Sequence, residues 1–314
     1  MFLNLMRTVL FLCFLSGFTS CGYLRIDPLH YLIRSDRFAS EAEEAEVVSR
    51  AKLDWTDDGR IRVLYVQGTP YERGYQHGKL LRREVQDNLN YLYKEGLKKF
   101  RSEILFEEAF ERLRPFIPQD YIEEMHGLAH GARLPLKVVH YIHVLPSISE
   151  WGRKKDLKKV IKRMMDGELA TSCSNFGVLP SGCEDGNMYT VRILDWGLHK
   201  ISKLHEYPLL TISKPEKGNV AVNIGWVGFL GAISGMNEQG ITLGEMGYGD
   251  PPNETLHGKP MPFLLREVLQ DANNLADVRR IISTSPGTNS FGYLMSDGKS
   301  REAELYIRDR DRFL

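Results

Sequence analysis

The stretch "SCSNFGVLPSGCEDGNMYTVRILDW", residues 172–196, holds two of the chain's four cysteines and the charged residues Arg192 and Asp195. A thiolate is the reactive form of cysteine, and a neighbouring guanidinium favours it. Cys173, Arg192 and Asp195 are therefore candidates for nucleophilic chemistry, provided that folding brings them together. Ser174–Leu179 and Met188–Leu194 read as the arms of a hairpin whose loop is centred between Cys183 and Glu184. Facing residues of an antiparallel pair have indices that sum to a constant. Here that sum is near 367 or 368, which sets Cys173 opposite Leu194 or Asp195. Strand parity puts Arg192 and Asp195 on opposite faces, so both serve one site only if the strand bends near residues 193–195.

The same geometry argues against a bond between Cys173 and Cys183. Cys183 sits at the hairpin tip and Cys173 at the base. Their separation of about six residues, at roughly 3.3 Å each, is about 20 Å. A disulfide needs Cα atoms within about 7 Å. A nucleophilic Cys173 also needs a base. No histidine lies between Cys173 and Asp195, so one must arrive from elsewhere in the fold or the base must be of another kind. If the Ser172–Cys173 bond is cut, the α-amine of Cys173 can itself take the thiol proton, its unperturbed pKa being near 8. Asp195 would then hold that amine.

The elements that must position these residues are legible as patterns. Residues 60–67, "RIRVLYVQ", read as a strand, and "GTPYERGYQHGKLLRREVQDNLNYLYKEGLKKF" as a turn leading into one long helix. Further helices are expected through residue 165, including the basic stretch "GRKKDLKKVIKRMMDGELA", read as a solvated face or, alternatively, a patch for acidic lipid. From Cys173 onward short β-runs take over: "SNFGVL", "MYTVRIL", "PLLTIS", "VAVNIGWV", "GAISGM" and "ITLGEM". Two helices, "MPFLLREVLQDA" and "LADVRRIIS", precede two last strands, "SFGYLMS" and "EAELYIR". The expected class is α+β with a largely antiparallel sheet.

Lys plus Arg and Asp plus Glu each number 41 among 314 residues, so nothing suggests a nucleic-acid partner. The apolar run "TVLFLCFLSGFTSC" behind Arg7 reads as a signal peptide over residues 1–20. Small residues before Cys21 resemble a bacterial lipobox, with Phe18 where a Leu-type residue is usual. The expectation is an exported lipoprotein anchored to the membrane through Cys21, in the periplasm or at the cell surface. Plain secretion and an uncleaved anchor are the alternatives. Residues 21–59 read as a tether, within which "ASEAEEAEVVSRAK" is readable as a short exposed helix.

Several separated motifs resemble one family. "VQGTPYERGYQHGKLLRREV" resembles a G-x-x-[YF]-E-x-G-x-x-x-G opening, and "YIEEMHGLAHGARLPLKVV" the helix that follows it. "SCSNFG…VRILDW" is similar to the nucleophile strand and its R-N-x-D-[WYF] partner, with Ile193 where Asn is commoner. "SGMNEQGITL" and "TNSFGYLMSDGKSREAELYI" resemble two later hairpins. In this order, over residues 60–314, they resemble the isopenicillin N acyltransferase-like autoproteolytic cysteine hydrolases of the N-terminal-nucleophile (Ntn) superfamily. Choloylglycine hydrolases, penicillin V acylases and acid-ceramidase-type amidases are more distant likenesses.

The resemblance implies a four-layer αββα sandwich, with a helical pro-segment (60–172) retained as an α chain beside a catalytic β chain (173–314). It implies cleavage between Ser172 and Cys173, with Cys173 as nucleophile, Arg192 against the sulfur and Asp195 on the freed amine. Asn289 would be an oxyanion donor, and Asn237 would contribute to the site or the substrate wall. The substrate would be a small linear amide, hydrolysed or used for acyl transfer without metal or cofactor. Such sandwiches extend past the late strand pair, so the layers are expected to be incomplete by Leu314 or completed differently. Two other functions are carried alongside: a catalytically silent lipoprotein using the same scaffold for binding, and a phospholipase-B-like lipid hydrolase.

Other residues have simpler readings. His126 and His130 stand four apart, a metal-ligand spacing, but no third ligand is evident, so surface or structural histidines are expected. His77 reads as a packing residue, and Asn237 equally as a turn residue.

Overall fold

The computed structural model describes residues 38–153, 173–195, 202–247 and 253–314. The expected signal segment with Cys21, Ser172 and most of the basic stretch lie outside them.

The segment read as a tether or short helix joins the fold from residue 41 onward. Helix α1 (Glu41–Ser49) starts at Ser40, whose hydroxyl accepts from the Glu43 N–H. Strand β1 (Lys52–Trp55) pairs antiparallel with β2 (Arg62–Gly68). The short helix readable in this segment is present, and Lys52–Trp55 adds an edge strand to it. Helix α2 (Pro70–Leu80) opens with Pro at its first turn and a capping box between Thr69 and Glu72. The expected single long helix breaks at Leu81 and resumes as α3 (Arg82–Phe100). Then follow α4 (Glu103–Leu113), α5 (Gln119–Ala132) and α6 (Leu136–Arg153).

Helices α2 and α5 touch backbone to backbone. A Cβ on Gly74 would lie 2.0 Å from the Glu124 carbonyl oxygen, and one on Gly127 2.0 Å from that of Tyr71. Only glycine permits that approach. It buries Glu124 between two guanidiniums, Arg73 at 3.0 Å and Arg266 at 3.0 Å. Burial alone would raise the Glu124 carboxyl; Arg266 and Arg73 outweigh it and hold it below the usual carboxylate range.

The main sheet contains β5 (Pro208–Pro215), β6 (Ala221–Trp226), β7 (Ser234–Asn237), β8 (Ile241–Gly247), β9 (Phe291–Asp297) and β10 (Glu302–Arg308). Its order is β1-β2-β5-β6-β7-β8-β9-β10, with β2 and β5 parallel and the other neighbours antiparallel. Successive residues alternate faces. Leu243, Glu245, Tyr293 and Met295 share the face covered by α7 (Met261–Asp271) and α8 (Leu275–Thr284). A second core joins Leu64, Val66 and Leu209 to helices α3–α6. Thr242, Gly244 and Leu294 share the opposite face. There lies a separate two-stranded sheet, β3 (Ser174–Val178) with β4 (Tyr189–Ile193). The Thr190 and Thr242 hydroxyls meet across the layers at 3.4 Å. The architecture is α+β with a largely antiparallel sheet, as the pattern of elements implies.

Candidate functional site

Ser174 pairs with Ile193 and Asn175 with Arg192, an index sum of 367. Cys173 therefore enters the hairpin beside Leu194. A one-turn 3₁₀ helix at Pro180–Gly182 shapes the tip. Cys183 lies there, and both cysteines are free thiols. The parity conflict between Arg192 and Asp195 dissolves because β4 ends at Ile193. Beyond it the chain leaves the ladder, and Asp195 comes to line the same pocket as Cys173, its backbone N–H acting to lower the thiol pKa.

Arg192 Nη2 lies 3.5 Å from Cys173 Sγ, and the same nitrogen makes an ion pair with Glu245. Glu245 Oε1 is 3.9 Å from the sulfur. Arg192 and Glu245 are only 10% and 6% exposed. The hairpin brings Arg192 this close because residue 244 has no side chain. A Cβ there would stand 2.8 Å from both Arg192 Cγ and Asn175 Oδ1. Burial and then the Glu245 charge push the Cys173 thiol above its ordinary pKa, against the opposing pull of Arg192 and the Asp195 N–H. In the intact chain the thiol is consequently protonated at neutral pH.

Cys173, Asp195 and Glu245 sit at one side of a largely apolar pocket whose other walls include Trp226, Phe229, Ile233, Met261 and Phe291. A wider groove on the hairpin side of the sheet shares Leu194, Gly225, Trp226 and Ile233 with it. A histidine does arrive: His143 lines the pocket. Both its nitrogens are engaged, however. Nδ1 donates to the Val139 carbonyl at 2.7 Å, and Nε2 accepts the Leu230 N–H at 2.9 Å. It has no free lone pair for the thiol proton.

The remaining expected residues divide. Asn289 is 2% exposed just before β9, two residues from the pocket-lining Phe291. Neither of its amide atoms has a hydrogen-bond partner among the described residues. Asn237 is not brought to the pocket. Its Nδ2 donates to the Leu269 and Ala272 carbonyls, and its Oδ1 accepts from the Gln239 and Ile241 N–H groups. That is a complete hydrogen-bond set for an amide, and it makes Asn237 a turn staple. His130 bonds the Tyr71 hydroxyl, and His77 is buried with Nε2 on the Gly228 N–H. No group of three or more metal-ligating side chains forms among the described residues.

Glu245 was not among the expected site residues. Its signal was available: a carboxylate in the middle of an otherwise apolar and small-residue strand, "ITLGEMG". Buried carboxylates are rare unless paired.

No protein-family model matches the chain. It is 24% identical to Protein dcd1A of Dictyostelium discoideum, over 74% of this chain and 55% of that protein. Protein dcd1B of the same organism is 24% identical over 79% and 50%. An uncharacterized protein of Archaeoglobus fulgidus is 26% identical over 76% and 42%. The chain spans about half the length of the curated relatives it matches.

Proposed function

We propose that the chain is a thiol-dependent Ntn-type amidohydrolase or acyltransferase, and that Cys173 becomes its N-terminal nucleophile by self-cleavage after Ser172. The observation that carries this reading is the placement of the Cys173 sulfur against Arg192, with Asp195 beside it, at the side of an apolar pocket. Helices on one face of the main sheet and the hairpin on the other are compatible with the proposed αββα sandwich. Lipid attachment at Cys21 and export belong to the same proposal.

The raised thiol and the engaged His143 leave the intact site short of a base. The freed α-amine fills that role, with the Asp195 carboxylate holding it. The thiolate attacks the carbonyl carbon of a small acyl amide whose acyl group lies in the apolar pocket. Asn289 Nδ2 and backbone N–H groups hold the oxyanion; one such donor typically contributes about 2.7–4 kcal/mol. The amine leaves with a proton along the wider groove. Water then hydrolyses the acyl-cysteine, or a second amine accepts the acyl group. None of these steps calls on a metal or cofactor.

N-terminal sequencing of the purified chains tests the proposal. Two associated chains are expected, one starting at Cys173, with an acyl adduct on that residue by mass spectrometry during turnover of N-acyl amides. Cys173→Ala should remain one inactive chain. An intact wild type that hydrolyses amides would refute self-cleavage. Two chains with no adduct or turnover would favour a binding protein, and fatty acid release from phospholipids alone would favour a lipid hydrolase.

A further inference from the structure

Residues 227–233 join β6 to β7 and carry Phe229 and Gly231 into the wall of the Cys173 pocket. A buried loop lacks ladder partners, so its backbone groups need others. Four different helices provide them. The Val227 carbonyl accepts from Asn88 Nδ2 on α3 at 2.7 Å, and the Leu230 carbonyl accepts from Arg266 on α7. The Gly228 N–H donates to His77 Nε2 on α2 at 2.9 Å, and the Leu230 N–H to His143 Nε2 on α6 at 2.9 Å.

A backbone N–H only donates, so both Nε2 atoms must be bare, and both imidazoles neutral. The bond from His143 Nδ1 to Val139 fixes its tautomer independently. The α2–α5 glycine contact sets the position of His77, one turn beyond Arg73. It also fixes Glu124, which holds the Arg266 guanidinium that binds Leu230.

We propose that His77 and His143 are positioning residues: their neutral imidazoles hold the 227–231 loop as a fixed wall of the pocket and so determine the size of apolar group admitted to Cys173. This rests on the pocket being the acyl site of the proposed reaction. Protonation would turn each acceptor into a donor aimed at a donor and release the wall. The charged or titratable groups facing His77 are Glu124 on α5, His143 on α6 and Arg266 on α7. His143 faces Glu124 and shares the pocket with Cys173, Asp195 and Glu245. Burial keeps both imidazoles neutral to about pH 4, outweighing the opposing Glu124 charge at His77 and, at His143, the Val139 hydrogen bond and then Glu124.

The test uses two readouts that need no turnover. The first is the ratio of Cys173 alkylation rates with iodoacetamide and with a bulky N-alkyl iodoacetamide. His143→Leu and His77→Leu should change this ratio at least fivefold, whereas His143→Gln and His77→Gln, which keep an acceptor, should stay near wild type. The second is hydrogen-exchange protection of the Gly228 and Leu230 amides. It should fall as pH drops through about 4 in wild type, persist in the Gln variants, and leave the Leu243 amide of β8 protected. An unchanged ratio in soluble Leu variants would overturn the proposal. So would pH-independent protection, or loss of Leu243 protection at the same pH. Wild-type protein that shows the expected ratios and protection but never turns over an amide would refute the acyl-transfer reading and leave the wall in place.

Discussion

Arg192 and Glu245 form a buried ion pair in contact with the Cys173 sulfur, and the two charges act on the thiol in opposite directions. The guanidinium favours the thiolate; the carboxylate disfavours it. In the intact chain burial and Glu245 prevail. The arrangement keeps the Cys173 thiol protonated unless something else removes its proton.

Substitutions at the pair should therefore move thiol reactivity in opposite senses. Glu245→Gln should shift the pH midpoint of iodoacetamide labelling down, and Arg192→Ala should shift it up. Arg192→Ala also removes the guanidinium from a buried carboxylate, so stability should fall. Urea denaturation reads that loss. Two shifts of the same sign would show that the pair does not govern the thiol.

Gly244 lets the hairpin settle onto the main sheet. A methyl group there would overlap the middle of the Arg192 chain and the Asn175 amide oxygen, both at 2.8 Å. The Asn175 amide is a chain end, but Arg192 Cγ lies mid-chain in a side chain held by its ion pair with Glu245 and cannot move away cheaply. Gly244→Ala should cost about 1–3 kcal/mol, the usual range for overpacking. It should also weaken the Arg192 contact, so that labelling of Cys173 moves to higher pH. Retention of both wild-type stability and labelling profile would rule out the close packing.

The hairpin register was readable because it depends on local chemistry. Two β-runs and a Gly-containing loop suffice to fix the sum of facing indices, and the observed 367 lies within the expected pair. The role of the α2–α5 glycines and of His77 was not readable. Their partners are far off in sequence: Gly228 lies 151 residues beyond His77. Strand β1 was missed because four half-exposed residues, "KLDW", carry no periodic signal. The break at Leu81 was missed because no glycine or proline marks it; its φ of −115° and ψ of 31° simply leave the helical region. Asn237 stood equally well as a turn or a site residue until its four bonds were seen.

The buried histidines make stability depend on pH with a definite sign. Each imidazole is held down to about 4 in the folded chain, against an ordinary value near 6.5. Between those values the unfolded chain takes up protons that the folded chain refuses. Stability is therefore complete above about pH 6.5 and is lost as pH falls toward 4. At 1.36 kcal/mol per unit, each imidazole accounts for on the order of 3 kcal/mol. Urea midpoints should fall across this window, and His77→Gln or His143→Gln should flatten the slope. Glu124, held low by its guanidiniums, adds its own loss at lower pH. An unchanged slope in both Gln variants would place the acid sensitivity elsewhere.

Asn237 separates structural from chemical importance within the same chain. Its amide closes the β7–β8 turn through the Gln239 and Ile241 N–H groups and ties that turn to the end of α7 through the Leu269 and Ala272 carbonyls. Asn237→Ala strands buried donors and acceptors together, and each stranded group costs about 1–3 kcal/mol. Water entering the vacated space recovers part of that, so the net loss should be about 2–4 kcal/mol. Asn237→Asp keeps both accepting bonds but offers a carboxylate oxygen to two carbonyls, and should be at least as damaging. Because the residue does not line the pocket, Cys173 labelling in the folded fraction of Asn237→Ala should keep the wild-type pH midpoint. A midpoint shifted as far as in the Arg192 or Glu245 variants, with stability intact, would instead return Asn237 to the site.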